Sequence, residues 1–189
     1  MEKTVEGHPP RASFPKSMTP PSELYATVLS AFSEEDWAFS EVAGREVIRA
    51  GFEAHHTRVD LHVQVFSGLS AVSVVSESPR TCQSPAHRER LAELAMRVNQ
   101  TLTVGNFELD WDSSRLFFRV TNLFPTHHGA ADMIRGLVHT TIGEMDRIAP
   151  LEAIVLQANG PELVALDLAR LMERDDLLPE IAAPEAHVP

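Results

Sequence analysis

The fold is decided by residues 91–111, which read LAELAMRVNQTLTVGNFELDW. In the first half, apolar residues recur at helical spacing, as Leu91, Leu94, Ala95, Val98 and Leu102. After Gly105 the period falls to two, so Phe107, Leu109 and Trp111 share one face of a strand. A left-handed or otherwise strained conformation is expected at Gly105, where the chain leaves the helix. The stretch predicts a helix joined to a half-buried strand, and it contains no obvious catalytic group.

The composition is that of a soluble, acidic protein with one core. The 189 residues include 16 Lys and Arg against 27 Asp and Glu, a net charge of −11. This balance argues against direct nucleic-acid binding and against an anionic membrane surface. The single cysteine, Cys82, allows neither an internal disulfide nor a zinc cluster and fits a reducing compartment. Because no apolar leader or long apolar run is present, we expect a cytoplasmic protein that does not span a membrane.

Alternating patterns predict five strands. Three of them, at 45–54, 58–66 and 69–76, are joined by short links that favour antiparallel hairpins. The third is apolar on both faces, which is typical of a central strand. A fourth strand follows Gly105, and a fifth begins near Arg115. Together with the helices, these strands predict an α+β fold: a five-stranded antiparallel sheet with helices packed mainly on one face, in the order α-β-β-β-α-β-β-α-α.

Helical segments and Pro-rich ends divide the chain. Residues 1–21 are predicted to be a disordered tail, and 22–157 form the domain. A C-terminal helical extension is predicted at 158–178, with its helix over 161–175, and a second disordered tail at 179–189. Within the long helix that starts near Gly129, Pro150 is expected to cause a kink or a restart.

Several local sequences resemble those of the YbjN family, which shares the fold of the class I type III secretion chaperones. They are Trp37 after an acidic run, the strand VIRAGF at 47–52, and Asn99 followed by Leu102 and by GNFELD at 105–110. The resemblance covers roughly residues 22–157. It implies a small, acidic, bacterial protein without enzymatic activity, which forms a homodimer and either binds segments of other proteins or acts as a regulator.

A small basic patch is the candidate partner-binding site. Four arginines are expected to lie on the strand faces opposite the main apolar stripe, with a phenylalanine among them. The arginines could bind an acidic peptide through bidentate hydrogen bonds to its carboxylates. The alternative is cross-strand pairing with Glu53, Glu108 or Asp110, which would cancel the patch. The residues of this patch are Arg45, Arg49, Arg115, Phe117 and Arg119.

Two carboxylates, two histidine pairs and one cysteine are the other candidates for a catalytic or metal site. Glu108 and Asp110 share a strand face and could form an acid/base pair, which would require a deep pocket and a carboxylate of raised pKa. The pairs at 55–56 and 127–128 are histidines, but adjacent strand residues point to opposite faces, so solvated turn histidines are favoured over a metal site. Cys82 is interpreted as an incidental thiol. We therefore expect no catalytic residue, no metal and no cofactor.

The favoured function is a non-enzymatic protein-binding module, chaperone-like or regulatory. It would act as a homodimer that holds an extended segment of a partner, in apolar grooves between helix and sheet and by strand addition at an edge. The alternatives are a sensory regulator with a small ligand in the dimer cleft and an enzyme using Glu108 and Asp110. Single-stranded DNA on the face that carries Phe117 is the weakest alternative, because the net charge opposes it.

Overall fold

The computed structural model describes residues 21–125 and 130–177. Its helices are α1 (Glu23–Glu34), α2 (Pro85–Asn99), α3 (Ala130–Gln157), α4 (Pro161–Ala165) and α5 (Leu168–Met172). Its strands are β1 (Phe39–Glu41), β2 (Val47–Glu53), β3 (Arg58–Phe66), β4 (Ala71–Glu77), β5 (Asn106–Asp110) and β6 (Arg115–Leu123). Short 3-10 turns occur at Ser67–Leu69 and Asp175–Leu177. The predicted tails, apart from Pro21, and the histidine pair at 127–128 lie outside the described residues.

The strands form one antiparallel sheet in the order β1-β2-β3-β4-β6-β5. The α+β class, the antiparallel pairing and the central place of β4 are confirmed. The strand count is corrected from five to six, because Phe39–Glu41 pairs with β2. A three-residue strand is too short for its periodicity to be distinguished from a loop, which explains why the sequence did not reveal it.

The helices pack on one face of the sheet and build the core there. α3 lies across β3, β4 and β6, while α1 and α2 pack beside it. The side chains of Ile48, Val63 and Phe118 are fully buried in this layer together with helical residues such as Phe32 and Leu94. Burial of such side chains contributes roughly 1.5–3 kcal/mol each, so this layer dominates the stability of the fold.

The long helix α3 does not restart at Pro150, which corrects that part of the expectation. It continues from Ala130 to Gln157 through the proline. A proline inside a helix removes one backbone hydrogen bond and costs about 3 kcal/mol or more. Ile148, Ala149 and Leu151, on either side of it, are all buried, and their packing offsets that cost. No described helix is long and apolar enough to cross a membrane.

Two further boundaries are corrected. The helix predicted at 161–175 is split into α4 and α5, because Leu166 is extended and Asp167 begins α5 by accepting a hydrogen bond from the Arg170 N–H at 3.1 Å. The central helix ends at Asn99, so Gly105 opens β5 instead of closing α2. The expected left-handed conformation is present, with φ of +78° at Gly105.

Candidate functional site

The sheet has a second face that points away from the helices, here called the open face. Alternation along β2, β3 and β6 turns the residues between the core positions toward it. The strand register aligns these side chains in rows across the sheet. The basic row consists of Arg49, His62, Val75 and Arg119, which are successive partners from β2 through β3 and β4 to β6.

Arg49 is the unpaired cation of the basic row. It is exposed, and within residues 21–125 and 130–177 it has no ion-pair partner. His62 lies beside it and is half-buried. Burial lowers the pKa of His62, and the positive charges of Arg119 and Arg49 lower it further. His62 is therefore neutral at pH 7 and leaves this part of the row open to an approaching anion.

The other predicted patch residues have different surroundings. Arg119 donates from Nε to Glu108 at 2.9 Å and 3.2 Å, the cross-strand pairing that was the alternative to a free patch. Arg115 pairs with Glu77, not with Asp110. Both pairs are solvent-exposed, so each contributes only about 0–1 kcal/mol and can be exchanged for another carboxylate.

The remaining two patch residues lie outside the basic row. Arg45 is exposed in the turn before β2, which corrects its expected place on a strand. Phe117 is half-buried on the open face, one row further along β6 and between Glu77 and Glu108 in register. The open face therefore carries four of the five residues that the sequence analysis assigned to it.

An open depression of about 850 Å³ lies over one end of this face. Within its lining, Arg58 pairs with Asp60 at 3.0 Å and Arg115 with Glu77. These two ion pairs cancel most of the charge in the lining. Arg49 is the arginine of the lining that has no acidic partner among the described residues. The ionisable lining residues are Arg49, Arg58, Asp60, His62, Glu77 and Arg115.

The carboxylates considered for an enzyme do not meet the conditions set for them. The hydrogen bond from Arg119 holds the pKa of Glu108 below its usual value. Hydrogen bonds from Ser113 and from the Asp112 N–H lower the pKa of Asp110. An acid/base pair at neutral pH requires a carboxyl of raised pKa. Neither residue lines the depression on the open face.

Two described histidines bind the elements of the fold to each other. His56 donates its backbone N–H to Asp146 of α3 at 2.6 Å, and its ring lies 3.3 Å from the same carboxylate. His87 is buried, with Nε2 2.8 Å from the Ala158 carbonyl oxygen and Nδ1 2.8 Å from the Ser84 hydroxyl. Because a carbonyl only accepts, Nε2 carries the proton. The interpretation of His56 as a solvated turn histidine is therefore wrong, because Asp146 binds both its backbone and its ring. No group of side chains able to hold a metal ion occurs among the described residues.

A buried carboxyl on the helical side is a second polar feature that the sequence did not reveal. Glu152 of α3 is 1% exposed and accepts a hydrogen bond from the Ser78 hydroxyl at 2.7 Å, with Arg80 Nη1 at 3.5 Å. Its Oε1 atom has no hydrogen-bond partner among the described residues. Burial raises the pKa of Glu152. Burial, and secondarily the charge of Glu152, raise the pKa of the Cys82 thiol, which disfavours the reactive thiolate.

Replacing Glu152 by glutamine tests the cost of this burial. Since the folded-state pKa lies above the unfolded-state value, the stability that protonated Glu152 contributes is complete below the unfolded value and is lost as pH rises through the folded value. Glutamine cannot ionise, so the stability of Glu152→Gln relative to the wild type should rise as the pH is raised from 5 to 8. Urea unfolding at both pH values measures this rise. The half-buried Glu144 of the same helix gives the control Glu144→Gln, and an equal change in both variants would contradict the assignment.

Comparisons with known proteins give weak structural matches. No family model and no curated protein matches the chain. Among solved structures, it is similar to YbjN from E. coli, a proposed transcription regulator, with 11% identity and a TM-score of 0.45 over 71% of this chain and 90% of that one. It is also similar to a chain of the HopA1-SchA chaperone-effector complex, with 12% identity and a TM-score of 0.36 over 61% of this chain and 94% of that one. Both TM-scores lie below 0.5; the matches do not establish membership of the YbjN family, and neither supplies an argument about function.

Proposed function

We propose that this chain is a non-enzymatic protein-binding module that acts as a homodimer and holds an extended acidic segment of a partner protein on its open sheet face. The observation that carries the proposal is the basic row, where Arg49 is exposed beside neutral His62, and within residues 21–125 and 130–177 no acidic side chain pairs with Arg49 and no helix packs on this sheet face. An acidic protein of net charge −11 that keeps an uncompensated cation on such a face has a local site for carboxylates.

The geometry favours binding across the face over strand addition at β5. The edge of β5 is partly covered, because the side-chain amide of Asn99 bonds both backbone groups of Phe107, at 2.7 Å and 3.0 Å. A partner strand would have to displace these bonds before pairing there. On the open face, by contrast, a partner meets exposed side chains and weak surface ion pairs, which cost little to rearrange.

The experiment compares protein capture by three forms of the tagged full chain from a lysate of the source cells. The test variant is Arg49→Glu with Arg119→Glu. Its charge-matched control is Arg97→Glu with Arg174→Glu, two exposed arginines away from the open face. We expect the test variant to retain a specific partner at least about tenfold less than the wild type, while the control retains it unchanged. Equal retention by all three forms would overturn the proposal.

Light scattering of the purified chain tests the homodimer. The chain mass is 20.9 kDa, so a dimer should scatter with twice that mass. A monomer that retains no specific protein would contradict the binding-module proposal and would favour the small-ligand alternative. Circular dichroism of each variant verifies that the charge reversals leave the fold intact.

A further inference from the structure

The open face carries an apolar row with two exposed side chains at the end away from the depression. Phe66, Ala71 and Leu123 are register partners on β3, β4 and β6, and Ala71 is buried between the other two. Phe66 is 38% exposed and Leu123 is 63% exposed, and Leu69 in the turn after β3 is 70% exposed. Single exposed apolar residues are ordinary on protein surfaces, but grouped ones mark interaction sites. This apolar row therefore adds a second kind of contact to the same face.

The spacing between the two rows is fixed by the strands. Arg119 and Leu123 are four residues apart on β6, and His62 and Phe66 are four residues apart on β3. At roughly 3.3 Å per residue, the rows lie about 13 Å apart. Between them lies a neutral polar row of Gln64, Ser73 and Thr121. An extended peptide laid along β4, between β3 and β6, has the same repeat, so its residues i and i+4 can reach the two rows.

Charge on the other side of the basic row restricts where an acidic residue can lie. The next row toward the depression contains Asp60 and Glu77, with Glu108 beyond Phe117. A ligand carboxylate placed two positions further along would lie over these acids and would have to displace one of them from its arginine, because Asp60 and Glu77 are already paired with Arg58 and Arg115. The basic row contains Arg49, which has no acidic partner among the described residues, so a carboxylate is attracted there without displacing an ion pair, and this sets the register of the peptide.

We infer that the partner segment is an extended peptide with an acidic residue and a large apolar residue four positions apart, lying along β4 with its carboxylate on the basic row between Arg49 and Arg119 and its apolar side chain between Phe66 and Leu123. This inference rests on the proposed function, because it names the partner chemistry of the same face. A spacing of three would turn the two side chains to opposite sides of the peptide. A spacing of six would place the carboxylate over the acidic row.

Selection from a displayed library of random 12-residue peptides against the full-length protein tests the spacing. Peptides that bind the wild type should be enriched in an acidic and a large apolar residue at a spacing of four. A selected peptide should bind at least about tenfold more weakly to Leu123→Ser and to Arg49→Glu. The control Val164→Ser removes an apolar side chain that is 81% exposed on α4 and should change nothing.

Each other result overturns the inference. Enrichment of basic peptides, of peptides without this spacing, or of none at all would do so. A second copy of the chain as the occupant would appear as loss of the dimer in Leu123→Ser by light scattering, which also contradicts a peptide ligand. Capture of partners that depends on Arg49 and Arg119 but not on Leu123 would leave the proposed function standing and exclude only the bipartite segment.

Discussion

Replacing Gly105 by alanine should lower the free energy of unfolding by about 3 kcal/mol. Gly105 has a φ of +78°, where a side chain costs roughly 1–2 kcal/mol. A Cβ atom there would lie 3.0 Å from the Arg119 carbonyl oxygen and closer still to the buried Phe118 ring. Both are fixed parts of the sheet, so neither can move without disturbing the core, and overpacking of this kind costs typically 1–3 kcal/mol.

Gly44 provides the matched control for this substitution. Its φ is +74°, but a Cβ atom there would meet nothing within 4 Å. Gly44→Ala should therefore show only the conformational cost, about 1 kcal/mol. Urea unfolding of the two variants separates backbone strain from steric overlap. Equal losses of stability in both would show that the close approach to Phe118 contributes nothing.

Much of the fold could be predicted because alternation is a local property. The pattern of β3 placed Val59, Leu61 and Val63 together, and all three are buried. The expected restart at Pro150 is wrong for the opposite reason, since the packing that maintains α3 there comes from residues far away in sequence. The three-residue strand β1 was missed because it is defined by its pairing with β2 and not by its own pattern.

The candidate site could be predicted only in part. Strand alternation turned Arg49 and Arg119 toward the open face, as expected. Which of them is free was not predictable, because this depends on the register that brings Glu108 to Arg119 and gives Arg49 no acidic partner within the described residues. The same register brings His62 between the two arginines. Register is set by pairing across the sheet, so a single strand read alone cannot show it.

Replacing Asn99 by alanine is expected to cost about 2 kcal/mol. Asn99 ends α2, and its Oδ1 accepts the Phe107 N–H at 2.7 Å while its Nδ2 donates to the Phe107 carbonyl oxygen at 3.0 Å. The amide thereby takes the place of a neighbouring strand at the edge of β5. Each hydrogen bond contributes roughly 1 kcal/mol net, and alanine removes both. Denaturant unfolding measures the loss.

Aspartate at the same position distinguishes the two bonds. Asn99→Asp keeps an acceptor for the Phe107 N–H, but when ionised it presents a second acceptor to the Phe107 carbonyl oxygen. Protonation restores a donor, so the stability deficit of Asn99→Asp should shrink as pH falls, whereas that of Asn99→Ala should not follow the same titration. Parallel pH dependences for both variants would show that the Asn99 amide does not stabilise the edge of β5 through both hydrogen bonds. Loss of these two hydrogen bonds also exposes the Phe107 backbone groups to pairing with another strand. Asn99→Ala should therefore self-associate at concentrations where the wild type does not.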